Sequence, residues 1–224
     1  ALPGGIGFGA FLDEKVTFEA PSKAFDEGRA AKIPLIIGSN DWESNLLLAK
    51  SAKKGFIARS LPYLPQVYGW YGDKTKTAEE RSSLLFRDVV FAAPARWLAA
   101  RHAKQAPAWL YTFSYVTSGS RGKVPGAGHA AEIAYAFDTL GVTEKSAANA
   151  SDEDHKIAAK VSDCWAAFAK TGAPNCALAN WQPYDANADN ELLIDREPRQ
   201  VKHPDRKILD GVQRLFGPGT LLGG

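Results

Sequence analysis

Methionine is absent from all 224 residues of this chain, including the first. This absence indicates an excised or processed chain, or a sequence from which modified methionines have been dropped. The opening stretch ALPGGIGFGAFLDEK has neither a basic segment nor a long apolar segment, so we do not expect it to be a signal peptide. No apolar run approaches the ~20 residues of a membrane span, so we expect no membrane-spanning helix.

Long blocks of one charge sign are also missing. The 27 basic and 25 acidic residues are interspersed, and the formal net charge is only +2. Lys50, Lys53 and Lys54 form the nearest approach to a basic run, and a solvated helix face explains them. We therefore expect no nucleic-acid partner. The hydrophobic fraction of 45% is that of an ordinary globular protein with a substantial core.

Cysteine occurs only twice, at Cys164 and Cys176, on either side of a predicted helix end at Gly172. A disulfide between them would stabilise the fold by roughly 3 kcal/mol in the chain-entropy model, and two free buried thiols are the alternative. Two cysteines without neighbouring histidines do not make a zinc site. The pattern slightly favours the disulfide, and with it an exported protein (periplasmic or secreted) over a cytoplasmic one.

Apolar runs and their spacing predict an α/β organisation. Ile33–Gly38 reads as a buried strand followed by turn residues and a helix from Trp42 to Lys50, and Trp109–Val116 reads as a second strand. The loop after such a strand lies where α/β proteins place their chemistry. The other predicted elements are helices at 78–91, 94–103, 152–170 and 204–216 and short strands at 191–194 and 199–202.

A histidine stands at the centre of the segment Val124–Leu140, which reads VPGAGHAAEIAYAFDTL. A glycine-rich run delivers His129 to the start of a predicted short amphipathic helix, where a catalytic base could act. The alternative is a histidine that only caps the helix and faces solvent. Among possible partner acids, Glu43 is best placed by topology and Asp41 competes with it, whereas Glu132 and Asp138 read as helix-start and surface charges.

Metal chemistry is poorly supported by the pattern. The four histidines are widely scattered, and no H-E-x-x-H motif occurs. A metal-dependent hydrolase is therefore a weak alternative, and no cofactor is expected. Its ligands would have to come from His102, His129, His155 and His203.

Five segments, in the same order, resemble the type-B carboxylesterases (the carboxylesterase/cholinesterase family), especially bacterial para-nitrobenzyl-esterase-like enzymes. Pro34–Glu43 resembles the family's segment with the catalytic acid, and Gly128–Phe137 resembles the segment with its histidine. The resemblance runs from about Leu12 to Phe216. The remaining segments are Phe86–Asp88 through Pro94–Arg96, Trp165–Pro174 and Asn180–Tyr184.

The resemblance implies an α/β-hydrolase fold with a triad in the order Ser, acid, His, in which Glu43 and His129 supply the last two. Ser44, where many members have Gly, and Gln182, where Pro is common, depart from the family pattern. No G-x-S-x-G nucleophile motif occurs in the sequence. Ser118 and Ser120, in TSGSRGK, lack the full pair of flanking glycines and the preceding apolar strand, and Ser39 lies in the loop of the acid itself.

The resemblance therefore implies the C-terminal part of an α/β-hydrolase fold, a mostly parallel sheet flanked by helices without the nucleophile half. Within 1–224, residues of about 50–105 would form a helical cap-like region. Residues 106–224 would supply the remaining strands, the histidine loop and the C-terminal helices. A sheet cut in this way would leave an edge bare.

The implied activity is hydrolysis of small carboxylic esters, with the isolated chain inactive because it has no nucleophile. Its expected partners are an ester substrate and the missing N-terminal portion of the same enzyme, with a homo-oligomer as a further possibility. The alternative function is a catalytically inactive, cholinesterase-like binding or adhesion module, because one fold serves many functions.

Overall fold

A computed structural model describes residues 14–15, 18–46, 56, 58, 61–72, 77–143 and 148–217. Three predictions fall on residues outside these ranges. They concern the lysines at 50, 53 and 54, the first residues of the predicted family resemblance, and the end of the predicted helix from Trp42. Within the described part of the chain, no helix combines the length and apolarity that a membrane crossing requires.

The described residues form a four-stranded sheet in the order β1-β2-β3-β4. Its first two pairings are parallel and the last is an antiparallel hairpin, which confirms the mostly parallel sheet predicted from the sequence. The strands are β1 (Leu35–Asn40), β2 (Ala108–Phe113), β3 (Asn190–Ile194) and β4 (Arg199–Lys202).

One short helix precedes β1, and the others fill both crossover connections between the parallel strands and follow the hairpin. They are α1 (Pro21–Asp26), α2 (Leu64–Tyr71), α3 (Ala78–Arg87), α4 (Ala93–His102), α5 (Ile133–Ala136), α6 (Asp152–Thr171) and α7 (Arg206–Phe216). Between α3 and α4 the chain continues without a break through a π-helical segment, Asp88–Ala92, in which the Ala93 N–H donates to the Asp88 carbonyl. A π-segment holds one residue more than an α-helical turn.

Hydrophobic packing places the helices on the sheet in three clusters. The largest lies between the sheet and α6 and includes Trp109, Phe113 and Val161. A second joins α2, α3 and α7, and a third lies between α4 and the strands β1 and β2. Part of the region predicted as cap-like therefore flanks the sheet, and the division into cap and sheet regions stays a prediction.

Capping residues mark both ends of the long helix α6. Ser151 and Asp154 form a reciprocal capping box at its N-terminus, and Gly172, with φ of 76°, ends it in the left-handed conformation. In the structure, a disulfide joins Cys164 on this helix to Cys176, with the two Cα atoms 4.9 Å apart. The disulfide ties the segment after the helix back to its last turns.

The outer edge of β1 has no partner strand among the described residues. The N–H groups of Leu35 and Asp41 donate to the backbone on the β2 side, at Pro107 and Phe113. Because donors alternate along a strand, the N–H groups of Ile36 and Gly38 point to the open edge. The three apolar residues from Leu35 to Ile37 are only half-buried, although the sequence predicts a buried strand.

Candidate active site

Glu43 lies one short loop beyond the carboxyl end of β1. It begins a single 3-10 turn, Glu43–Leu46, where the sequence predicts the helix from Trp42. Its side chain is only 3% exposed, and one carboxylate oxygen accepts a hydrogen bond of 2.7 Å from the backbone N–H of Asn40. This bond fixes the carboxylate against the strand that precedes it, with its second oxygen directed outward from the turn.

That second oxygen meets His129. The Oε2 atom of Glu43 lies 2.6 Å from the Nδ1 atom of the imidazole ring. Because a carboxylate oxygen accepts, Nδ1 is the nitrogen that donates in this contact, and Nε2 lies on the other side of the ring. The His129 side chain is 37% exposed, so this candidate dyad combines a buried carboxylate with an accessible imidazole.

The loop before His129 is held against the loop of Glu43 by backbone contacts. The Trp42 N–H donates to the Ala127 carbonyl at 3.0 Å, and Trp42 and Gly128 form an isolated parallel bridge. A Cβ atom at Gly126 would lie 2.6 Å from the Asp41 carboxylate, and one at Gly128 would lie 2.9 Å from the Asn45 amide. A side chain at either glycine would therefore displace the Asp41 or Asn45 side chain, each of which holds the two loops together.

Asp41 does not orient the imidazole. Its carboxylate accepts a 2.7 Å hydrogen bond from the Ala127 N–H and so anchors the loop two residues before His129. Burial raises the pKa of Asp41 to about 6, against the opposing effect of the Ala127 hydrogen bond and the Arg87 charge. Of the two acids that the sequence leaves in competition, the structure brings Glu43 to the ring.

Two asparagines complete the attachment of the histidine loop. The Asn40 amide donates to the Gly128 carbonyl at 2.8 Å and to the Glu132 carboxylate at 2.6 Å. The Asn45 side-chain oxygen accepts from the His129 N–H at 2.6 Å. Glu132, predicted as a helix-start charge, thus also connects the histidine loop to β1.

An aromatic ring and a strained residue flank the imidazole. The ring of Phe91, in the π-helical segment, lies 5.3 Å from that of His129. Ala130 has φ of 67°, in the left-handed region that costs an alanine about 1–2 kcal/mol. The structure therefore holds this loop in a conformation that its local sequence does not favour.

The sequence reasoning missed Asn40, Asn45 and Phe91. The two asparagines belong to the polar run SNDWESN after a strand, and that run is the signal from which they could have been found. Phe91 left no such signal, because its approach to His129 depends on the extra residue of the π-helical segment.

A second buried polar group lies close by, around a cavity of about 230 Å³ that Asp41 also lines. Burial raises the pKa of Glu191 to about 7, although Thr112 donates to its carboxylate at 2.8 Å. His203 lies 3.5 Å from the same carboxylate, and burial lowers its pKa. This pair has no access to solvent comparable to that of His129, since both side chains are at most 8% exposed.

The other two histidines have surroundings of their own. The Nε2 atom of His102 lies 2.6 Å from the Ile33 carbonyl oxygen, and His155 lies on α6. Among the described residues, no three or more His, Cys, Asp or Glu side chains are grouped as metal ligands.

A family model and several known proteins match most of this chain. The family model described as "Carboxylesterase family" matches residues 3–208. The para-nitrobenzyl esterase of Bacillus subtilis (strain 168) is 29% identical over 213 residues, which cover 92% of this chain and 42% of that protein. Human Neuroligin-2 is 28% identical over 200 residues, covering 76% of this chain and 24% of its own length.

Solved structures give the same picture. A para-nitrobenzyl esterase superposes with a TM-score of 0.70 at 27% identity, covering 88% of this chain and 42% of the other. A carboxylesterase of Geobacillus stearothermophilus gives a TM-score of 0.73 at 23% identity, covering 94% and 46%. These likenesses confirm the α/β-hydrolase fold predicted from the sequence. The chain spans less than half the length of these proteins.

Proposed function

The chain belongs to the carboxylesterase family, as its five segments predicted, and from this premise we propose that it supplies the acid and base of a serine carboxylesterase. Glu43 is the acid and His129 the base in this proposal. The observation that carries it is the 2.6 Å contact between the Glu43 carboxylate and Nδ1 of an accessible imidazole.

The proposed chemistry follows from the orientation of the ring. Nε2 of His129 accepts the proton of a serine hydroxyl as the serine oxygen attacks the ester carbonyl, and it returns that proton to the departing alcohol. A water molecule then repeats the sequence on the acyl-enzyme and releases the acid. Glu43 holds the ring in one tautomer and stabilises the imidazolium that forms after each proton transfer.

The serine and the oxyanion-hole donors come, in this proposal, from an N-terminal portion of the same enzyme. The sequence of this chain contains no G-x-S-x-G motif, and the chain spans only 42% of the Bacillus subtilis relative. Loss of a single oxyanion donor lowers kcat by roughly 10²–10³-fold. We therefore expect the chain alone to leave esters unhydrolysed.

The test is hydrolysis of p-nitrophenyl acetate by the chain alone and by the chain together with the polypeptide encoded upstream of it. Turnover is expected only for the combination. His129→Ala should then abolish it, and Glu43→Gln should lower kcat by roughly 10³–10⁴-fold, because the amide favours the wrong tautomer. Glu153→Gln, an exposed carboxylate on α6, is the matched control and should leave the rate unchanged.

Two results would contradict the proposal. One is turnover by the isolated chain that His129→Ala removes. The other is a combined enzyme whose kcat is the same with Glu43 and with Gln at that position.

A catalytically inactive binding module is the second candidate, and the match to Neuroligin-2 is the observation that favours it. The upstream sequence separates the two candidates. A serine in a G-x-S-x-G motif there supports the esterase, whereas its replacement by a residue without a nucleophilic side chain supports the binding module.

A further inference from the structure

His129 lies in a tight turn whose backbone is strained. The Ala131 N–H donates to the Gly128 carbonyl at 3.0 Å and closes the turn. His129 and Ala130 are its two central residues. Ala130 has φ of 67°, a conformation that glycine usually supplies at the second central position of a turn. The local sequence therefore does not stabilise the turn, and contacts from other segments must hold His129 in place.

Residues 40–42, at the end of β1, hold the chain that enters this turn. Their three hydrogen bonds, of 2.7, 2.8 and 3.0 Å, bind the backbone of Ala127 and Gly128. The N–H of His129 donates instead to the side-chain oxygen of Asn45, at 2.6 Å. Among the described residues, Asn45 is thus the side chain that binds the backbone of the histidine itself.

Asn45 and Glu43 belong to one 3-10 turn, so a single short element holds the histidine at two points. Glu43 binds the ring through Nδ1 and Asn45 binds the backbone N–H, both at 2.6 Å. The Asn45 amide also lies against the histidine turn, because a Cβ atom added at Gly128 would be only 2.9 Å from its nitrogen. Without the bond to the backbone, the ring would follow any movement of that turn away from the carboxylate.

Asn45 is exposed, whereas Glu43 is buried. One hydrogen bond from an exposed side chain contributes little to the stability of a whole chain. The strain at Ala130 acts on the same turn and is similar in size to one hydrogen bond, so it is enough to displace His129 when that bond is lost. Removal of the Asn45 side chain should therefore change the geometry of the dyad much more than the stability of the fold.

We propose that Asn45 is a positioning residue of the candidate dyad. Its side-chain oxygen holds the His129 backbone against the strain at Ala130 and thereby keeps Nδ1 on the Glu43 carboxylate. The effect on turnover rests on the proposed esterase function, but the contact belongs to the chain alone, so the two can be tested separately. The same reasoning predicts that Ala130→Gly, which removes the strain, makes the Asn45 bond less necessary.

The first experiment uses the chain alone and measures the imidazole tautomer of His129 by its ¹⁵N NMR shifts, at a pH where the ring is neutral. The parent should hold one tautomer, with the proton on Nδ1, and Asn45→Ala should give a mixture of two. The melting temperature of this variant should fall by no more than about 4 °C, because only one exposed hydrogen bond is lost. Asn45→Asp keeps the accepting oxygen and should keep the single tautomer. Asn187→Ala, at an exposed asparagine far along the chain, is the matched control.

The second experiment measures hydrolysis of p-nitrophenyl acetate by the chain together with the polypeptide encoded upstream. Asn45→Ala should lower kcat by roughly 10–100-fold, since a misplacement of about 1 Å costs up to ~10²-fold. KM should stay within about twofold, because the lost contact acts on the base and not on the bound ester. Asn45→Asp should stay within about threefold of the parent kcat. Adding Ala130→Gly to Asn45→Ala should restore kcat about tenfold, the size of one such strain.

A single tautomer in Asn45→Ala, or a mixture already in the parent, would overturn the proposal. A fall in melting temperature well beyond 4 °C, or a loss of kcat that Ala130→Gly does not reduce, would indicate a general structural role and would overturn it as well. If the combined parent enzyme shows no turnover, the esterase proposal fails, and the tautomer of the chain alone still decides whether Asn45 positions His129.

Discussion

Asp41 gives the histidine loop a dependence on pH. Its pKa in the folded chain is raised from 3.8 to about 6, so the folded state holds this proton more tightly than the unfolded state. The stability that the protonated group contributes is complete below pH 3.8 and is lost as the pH rises through about 6. Two pKa units correspond to a change of at most about 3 kcal/mol.

Asp41→Asn should remove this dependence. The amide oxygen can still accept from the Ala127 N–H, but the group no longer ionises. The free energy of unfolding of the variant, relative to the parent, should therefore rise between pH 4 and pH 7 by up to about 3 kcal/mol. Urea unfolding across this range measures it, with the exposed Asp138→Asn as control. A difference between variant and parent that is constant with pH would contradict the assignment.

Glu43 and His129 could be identified as candidates from the sequence. Glu43 follows a predicted strand and its loop, and His129 follows a glycine-rich loop. The choice between Glu43 and Asp41 could not be made from the sequence, because both follow the same strand two residues apart. It depends on which carboxylate the packed loop turns toward the ring and which toward Ala127. Such a choice is made by tertiary contacts over more than 80 residues of chain.

Asp154 joins the N-terminus of α6 to the segment after β2. Its carboxylate is fully buried and accepts hydrogen bonds from Tyr115, from Ser118 and from the backbone and side chain of Ser151. Burial opposes ionisation, but the bonds from Ser118, Ser151 and Tyr115 outweigh it and hold the pKa of Asp154 well below its ordinary value.

Asp154→Asn should cost about 3 kcal/mol or more of unfolding free energy at pH 7, because the amide nitrogen cannot accept the bonds that one carboxylate oxygen accepts. A lowered pKa means that the contribution is present above the ordinary value of 3.8 and is lost as the pH falls below it, so the cost should shrink in acid. Asp152→Asn, in the first turn of α6, is the control and should cost at most about 1 kcal/mol.

Element boundaries show where sequence patterns stop being informative. The pattern predicts α6 to within one residue, because its caps are local signals at Ser151 and Gly172. It ends the first strand at Gly38, but β1 continues to Asn40, since Ser39 and Asn40 pair with Thr112 and Phe113. It also predicts one helix over 78–91, where a single extra residue changes the winding after Arg87. Pairing and winding of this kind depend on distant contacts.

At the scale of the whole molecule, the open edge of β1 predicts where the N-terminal portion in the proposed function would bind. In the chain alone, the amides of Ile36 and Gly38 should exchange with solvent rapidly, because no described residue accepts from them. The amides of Ile37 and Ser39 face β2 and should be protected, which makes them an internal control. Addition of the polypeptide encoded upstream should protect all four.

Hydrogen exchange followed by mass spectrometry or NMR measures this pattern. Protection of Ile36 and Gly38 in the chain alone at low concentration would contradict an open edge. Protection that appears only as the chain is concentrated would instead indicate pairing of two copies through β1, which is the homo-oligomer that the sequence left open.

The π-helical segment Asp88–Ala92 sets the angular phase of everything that follows it up to His102. Deletion of one residue from this segment would give a continuous α-helix. The residues that follow the deletion would be rotated by about 100° around the helix axis. Arg96 would then swing away from Asp189 and Asp210, which it now reaches at 2.8 Å, and Phe91 would leave the imidazole. A change that makes one helix more regular would thus break the contact between α4 and α7, which the irregular winding of the π-helical segment maintains.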